Sequence, residues 1–191
     1  CRFAENAYFV SEREDGWTDA PIRDIAREQL GFADALVMSG KKDGLANVGG
    51  FVAVADDEDD LFEELKQRAI LYEGFPTYGG MAGRDMAAMA VGLREATERP
   101  YLADRIEQVN ELAKRLSEEG VPVYRPVGGH AVYVDADAAL PSVPANQFPG
   151  QALVGAAYLD GGVRAVELGS FAFPNTDRPE LVRLALPRRT Y

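Results

Sequence analysis

Apolar and polar positions along this chain alternate between two periods. Ala7-Tyr8-Phe9-Val10 is a continuous apolar run and reads as the end of a strand, whereas Ile22, Ile25, Ala26 and Leu30 return at the spacing of one helix face. Ala35-Leu36-Val37-Met38 and Phe51-Val52-Ala53-Val54-Ala55 are short apolar runs, the second closed by the acidic turn at 56–60, and both predict buried strands. Leu61, Phe62, Leu65 and Ala69 share one face of a helix that starts near Asp59. Strands alternating with helices predict an α/β domain on a largely parallel sheet.

After the glycine-bearing loop at 73–80 the pattern turns helical. Met86, Met89, Ala90, Leu93 and Ala96 form one stripe, with both methionines read as core filling. Pro100 interrupts, and Leu102, Ile106, Val109, Leu112 and Leu116 form a second stripe that ends at Gly120, a C′ residue. Short strands return at 121–124, 131–135, 163–166 and 182–186, with a helix at 151–159. The change of character places a boundary near residue 97. Residues 1–97 read as the end of a larger α/β domain and 98–191 as a smaller α+β domain.

The 191 residues are 47% hydrophobic and 27% charged, enough apolar material for a real core. No apolar run is long enough to cross a bilayer and no signal peptide is visible. The single cysteine, Cys1, excludes an internal disulfide framework and fits a reducing cytoplasm. A net charge of −11 argues against nucleic acid or an anionic membrane as the main partner. Lysine is scarce beside this acidity, a balance expected of a surface adapted to salt. The chain begins without methionine, inside a patterned segment, and reads as part of a longer protein.

Ser39-Gly40-Lys41-Lys42-Asp43, at the mouth of the predicted strand at 35–38, carries the most chemistry. Each ammonium of an adjacent lysine pair raises the cost of charging the other, which keeps some amine neutral and able to attack an aldehyde. A solvated turn with two surface lysines is the plain alternative. The segment is not a phosphate-cradling P-loop, because Gly31 is too far from Gly40 and Asp43 stands where Ser or Thr is needed. Arg183, in the apolar run Val182-Arg183-Leu184-Ala185-Leu186, needs a partner if buried, either a structural acid or a substrate carboxylate. Arg2 reads on its own as a surface residue or a partner of Glu5, Asn47 as a turn residue, and His130 as structural. Arg188 and Arg189, beyond Pro187, read as solvated, and Tyr78 has no assigned role.

Seven segments in order resemble the tryptophanase and tyrosine phenol-lyase family: 2–9, 39–43, 73–80, 128–131, 146–149, 163–171 and 183–189. The resemblance covers nearly the whole chain. It implies the pyridoxal-phosphate-dependent transferase fold, aspartate aminotransferase-like and of fold type I, and a β-eliminating lyase that uses pyridoxal 5'-phosphate. It makes Lys42 the Schiff-base lysine and the base for the substrate Cα proton. It places Lys41 and Ser39 by the cofactor phosphate, Arg2 near the phenolic oxygen of the ring, and Arg183 on the substrate carboxylate. The backbone carbonyl of Asn47 would help to hold a potassium ion. The aspartate that pairs with the pyridine nitrogen would lie upstream of Cys1. The family is expected to be cytoplasmic and to work as a homo-oligomer, a tetramer built as a dimer of dimers, so that this piece alone is inactive.

Leu168, in Glu167-Leu168-Gly169, bears on the substrate. The phenol-lyase branch has an arginine there, suited to a phenolic oxygen, and the tryptophanase branch an apolar residue. Leucine favours an indole-sized apolar pocket and hence L-tryptophan, cleaved with water to indole, pyruvate and ammonia. Phe75, the 3–5 run and 169–171 lean the same way, and 83–86 leans towards the phenol-lyases. Elimination from tyrosine or another β-substituted amino acid, and a non-catalytic domain kept for binding or oligomerisation, are the alternatives.

Overall fold

The first helix forms where an apolar run predicted a strand. In the computed structural model, which describes residues 2–75 and 80–187, α1 spans Phe3–Arg13. Ala4, Ala7 and Ser11 recur at helical spacing and are buried together, while Phe9 and Val10 are only half-buried. Four apolar residues in a row fit either a strand or a helix, and the small residues on one face decide it. Cys1, Tyr78, Arg188 and Arg189 lie outside the described residues.

The chain divides into two compact units, Cys1–Ala103 and Asp104–Tyr191. The first is built on α1 and α2 (Ile22–Leu30), which pack through Ala4, Ala7, Ile22, Ile25 and Ala26, with Ala96 and Leu102 closing the core. Burying side chains the size of Ile25 and Leu102 contributes about 1.5–3 kcal/mol each. Strands β1 (Ala35–Ser39) and β2 (Gly50–Val54) form an antiparallel pair in which Met38 opposes Phe51 and Ser39 opposes Gly50. The largely parallel sheet expected from the sequence is not what pairs here: every ladder among the described residues is antiparallel. The loop at 40–49 is too short for the crossover that parallel neighbours need.

Helix α3 (Asp59–Tyr72) forms where expected, but it has no buried residue and Phe62 is exposed. Helix α4 (Gly83–Glu95) buries Met89 and Gly92 and leaves Met86 exposed, so only one of the two methionines fills a core. Pro100 sits in the first turn of α5 (Arg99–Glu118), where a missing N–H removes no helical bond. Gly120 then takes φ +80, the left-handed conformation expected of a C′ residue.

In the second unit, Val109 and Ala113 of α5 pack on Val132 and Leu186. Its sheet has the order β3-β5-β4, with β3 at Ala131–Asp135, β4 at Val166–Glu167 and β5 at Leu181–Ala185. The strand expected at 121–124 is reduced to a bridge between Val123 and Val134, and that at 163–166 to the two residues of β4. The short helix α6 (Ala136–Ala139) follows β3, capped by the Asp135 side chain on the Ala138 N–H. Helix α7 (Pro149–Gly161) starts on a proline and stops at Gly162, φ +65.

Candidate active site

Ser39 ends β1, and the chain then folds into a turn tied by its own backbone. Lys42 N–H donates to the Ser39 carbonyl at 3.0 Å, Leu45 N–H to Lys42 at 3.1 Å, Ala46 N–H to Gly40 at 2.9 Å and Gly40 N–H to Gly49 at 2.7 Å. The turn separates the two lysines: Lys41 is exposed and Lys42 half-buried. Among the described residues the Ser39 hydroxyl has no hydrogen-bond partner and the Lys41 ammonium no ion pair. A hydroxyl and a cation two residues apart in one turn, neither bound by another described residue, are of the kind that suits an oxyanion.

The turn is held from two sides. The Asp43 carboxylate, only 4% exposed, accepts the Ala4 N–H at 3.0 Å across 39 positions of sequence. It therefore satisfies an open donor in the first turn of α1, whose N-cap residue Arg2 supplies no side-chain cap. Arg2 binds Glu5 at 2.5 Å and stands 3.8 Å from Asp43, so its charge is matched within this corner, while its buried Nε makes no hydrogen bond among the described residues. From the other side α4 presses on the turn. Met89 lies against Gly40 and Gly44, and Gly92 leaves no room for a Cβ beside the Gly44 carbonyl. Asn47 is exposed in the loop leading to β2.

Arg183 and Leu168 belong to the second unit. Arg183 opposes Tyr133 of β3 and Val166 of β4, and Glu167 opposes Val182. The Leu168 N–H extends this ladder by one bond, 2.8 Å to the Leu181 carbonyl. Because side chains alternate across a strand, Arg183 and Leu168 share one face, opposite the face on which Val182 joins Val134 in the core. The Arg183 Nε is buried without a hydrogen-bond partner, and the guanidinium makes no ion pair among the described residues. The backbone carbonyl of His130, just before β3, accepts the Leu186 N–H at 3.0 Å.

Sequence reasoning missed Asp43 as the anchor of the lysine turn and Gly92 as its backstop. An aspartate beside two lysines reads locally as their counter-ion, and no local signal names Ala4 as its partner. It also missed Glu167 and Glu180, two buried carboxylates around the loop that carries Leu168. Gly169, two positions after Glu167, was the one local hint for that acid, and Glu180, between Pro179 and Leu181, had none.

Residues 1–191 match the family model described as beta-eliminating lyase. A probable tryptophanase of Halobacterium salinarum is 67% identical over 191 residues, covering 100% of this chain and 42% of the relative. A tryptophanase of Salinibacter ruber is 48% identical, again over 100% of this chain and 42% of its own. A tyrosine phenol-lyase of Symbiobacterium thermophilum is 47% identical, over 100% and 43%. The chain thus spans less than half the length of these relatives. Among solved structures, SPT with its PLP internal aldimine superposes with a TM-score of 0.56 at 18% identity, over 87% of this chain and 38% of that one. At that identity the likeness bears on fold alone, and the fold is that of the fold-type-I pyridoxal-phosphate enzymes. The match along its whole length makes this chain a member of the β-eliminating lyase family.

Proposed function

We propose that the protein containing this chain is a pyridoxal-phosphate-dependent lyase that converts L-tryptophan and water to indole, pyruvate and ammonia. The observation that carries the reading is the turn at 39–43, where the Ser39 hydroxyl and the Lys41 ammonium, without partners among the described residues, precede the half-buried Lys42. That donor set fits the cofactor phosphate, with Ser39 and Lys41 as its ligands, Lys42 as the point of covalent attachment and Arg2 beside the ring. When bound, pyridoxal phosphate supplies an electron sink for charge developing at the substrate Cα.

The chain's own residues do the rest. Arg183 offers an Nε that no group among the described residues uses, and a carboxylate is its natural bidentate partner. Leu168 lies on the same sheet face and gives the leaving group an apolar wall. Lys42 Nζ, once released from attachment, takes the Cα proton. Unit 1–103 is then the end of the cofactor-binding domain and unit 104–191 part of the small domain. A potassium ion on the Asn47 carbonyl, a cytoplasmic location and a tetrameric assembly belong to the same proposal. They are supported by the likeness to the family, and no helix among the described residues is long and apolar enough to cross a membrane.

A second reading, elimination of phenol from L-tyrosine, is favoured by the tyrosine phenol-lyases at 47–48% identity. Leu168 weighs against it, because leucine offers a phenolic oxygen no donor. The test is the full-length protein with pyridoxal phosphate and potassium, given L-tryptophan and L-tyrosine in parallel. Indole with pyruvate supports the proposal. Phenol from tyrosine keeps the chemistry and overturns the pocket argument, and no product from either overturns both.

A further inference from the structure

The segment after β4 has no regular secondary structure, yet every amide from Leu168 to Phe173 is hydrogen-bonded. The two ends use backbone carbonyls: Leu168 donates to Leu181 at 2.8 Å and Phe173 to Gly169 at 3.0 Å. The four amides between them go to two glutamates. Glu167 Oε1 accepts from Gly169 at 2.5 Å and from Phe171 at 3.3 Å, and Glu167 Oε2 accepts from Ala172 at 2.9 Å. Glu180 Oε1 accepts from Ser170 at 2.7 Å. Both acids are buried, 5% and 3% exposed.

Burying two carboxylates together demands compensation. The amides supply part of it, and α7 supplies more, because both carboxylates lie at its N-terminal end. A Cβ on Gly150, in the first turn of α7, would stand 3.5 Å from Glu167 Oε1 and from Glu180 Oε2. The positive end of the helix dipole therefore faces both acids, and the N-cap residue Phe148 gives no competing side-chain cap. Packing is closed around them: a Cβ on Gly169 would meet Glu180 Cδ at 2.6 Å and Glu167 Oε1 at 2.8 Å. A loop in which each N–H is spoken for has little freedom left.

We propose that Glu167 and Glu180 are positioning residues for substrate choice, a buried carboxylate clamp that fixes the 168–173 loop and thereby the Leu168 side chain. The proposal rests on the reading of Leu168 as a wall of the leaving-group pocket. Glu167 ends β4 and the Leu168 N–H continues its ladder by one bond, so their side chains leave on opposite faces. The clamp holds the loop from the core side while Leu168 stands on the side of Arg183.

The two acids are not equivalent. Glu167 uses both oxygens as acceptors, so an amide at this position sets an NH2 donor against a backbone N–H. Glu180 uses Oε1 alone, and among the described residues its Oε2 has no hydrogen-bond partner. A glutamine there keeps the oxygen for Ser170 and turns the NH2 towards Glu167. Glu180→Gln should therefore preserve the loop, and Glu167→Gln and Glu180→Ala should loosen it.

The test uses the full-length protein with pyridoxal phosphate and two amino acids. One is the aromatic substrate that wild type eliminates, L-tryptophan on the reading above. The other is β-chloro-L-alanine, whose leaving chloride is too small to need the Leu168 wall. Glu167→Gln should lower kcat/KM for the aromatic substrate about tenfold or more, the scale of a misfit in an apolar pocket. Its kcat/KM for β-chloroalanine and its cofactor absorbance should stay at wild-type values. Glu180→Gln should match wild type on both. Hydrogen exchange gives an activity-independent readout: amides 169–172 should be protected in wild type and Glu180→Gln and exchange faster in Glu167→Gln.

An unchanged ratio of the two kcat/KM values in Glu167→Gln, or fast exchange of 169–172 in wild type, overturns the clamp while the lyase reading stands. If Glu167→Gln does not fold, the Glu180→Ala and Glu180→Gln pair decides the same question, and equal ratios in those two overturn it. A wild-type protein that eliminates neither amino acid overturns the lyase reading and the role in substrate choice, and the exchange rates still judge the clamp itself.

Discussion

Gly92→Ala is the sharpest test of how the lysine turn is held. In an ordinary helix interior this substitution stabilises by about 1 kcal/mol, because alanine loses less backbone freedom than glycine. At this position in α4 the added methyl would point at the Gly44 carbonyl oxygen, and would lie 2.8 Å from the Gly44 carbonyl carbon and 2.9 Å from Leu45 Cβ. Ordinary contact at a Cβ begins near 3.4 Å, so the turn must retreat by roughly half an ångström or more. The obstacle is backbone tied by the bonds of Gly40, Lys42 and Ala46. Overpacking of this kind costs about 1–3 kcal/mol, enough to reverse the helix gain. Because the displaced atoms are two residues from Lys42, cofactor affinity should fall along with stability, about tenfold for each 1.4 kcal/mol. The assay is a thermal melt and a pyridoxal phosphate titration of the full-length variant. Gly155→Ala in α7 is the control, since its Cβ would meet nothing within 4 Å. It should raise stability by about 0.5–1 kcal/mol. A Gly92→Ala protein that melts no lower than wild type and binds cofactor as tightly would refute the close approach of α4 to the turn.

Three further outcomes follow from single observations. Asp43→Ala removes the acceptor of the Ala4 N–H and a carboxylate from beside Arg2, and should lower stability by about 1–3 kcal/mol, with Asp43→Asn milder because one oxygen remains; equal melting of all three proteins would contradict it. Burial first, and Glu12 second, raise the Tyr8 hydroxyl above its ordinary 10.0, against a smaller opposing pull from Arg99. The native state thus keeps this proton where the unfolded chain gives it up, so its contribution is complete below pH 10 and is lost as pH rises through the higher folded value. Melts of wild type and Tyr8→Phe should diverge between about pH 9 and 11, wild type losing more, and parallel curves would refute the shift. The net charge of −11 predicts a melting temperature that rises from low salt to molar KCl, and a flat response would dismiss salt adaptation.

Legibility in the sequence followed the range of the interactions involved. Helix α2 and the buried face of α5 were readable because Ile22, Ile25 and Ala26, and Leu102, Ile106 and Val109, repeat within a few turns. The conformation of Gly120 was readable because a helix end needs a left-handed residue. Strand direction was not, because it depends on which strand each edge finds, and the 40–49 loop returns β2 beside β1. Residues 7–10 were misread because four adjacent apolar side chains carry no period of their own. The lysine pair stood out as chemistry, but its support comes from Ala4, Met89 and Gly92, all about 40 or more residues away. Glu180 reaches the Ser170 amide, ten residues away, across a loop that no pattern announces. Local patterns were visible from the residues, and the long-range contacts that hold them were not.

The central claim is that Lys42 carries the cofactor. Borohydride reduction of the full-length protein loaded with pyridoxal phosphate, followed by digestion and peptide mass analysis, reads this directly. A pyridoxyl group on Lys42 and none on Lys41 is expected, with the visible cofactor band lost in Lys42→Ala. A pyridoxyl group on Lys41 or another lysine, or a band unchanged by Lys42→Ala, would contradict it.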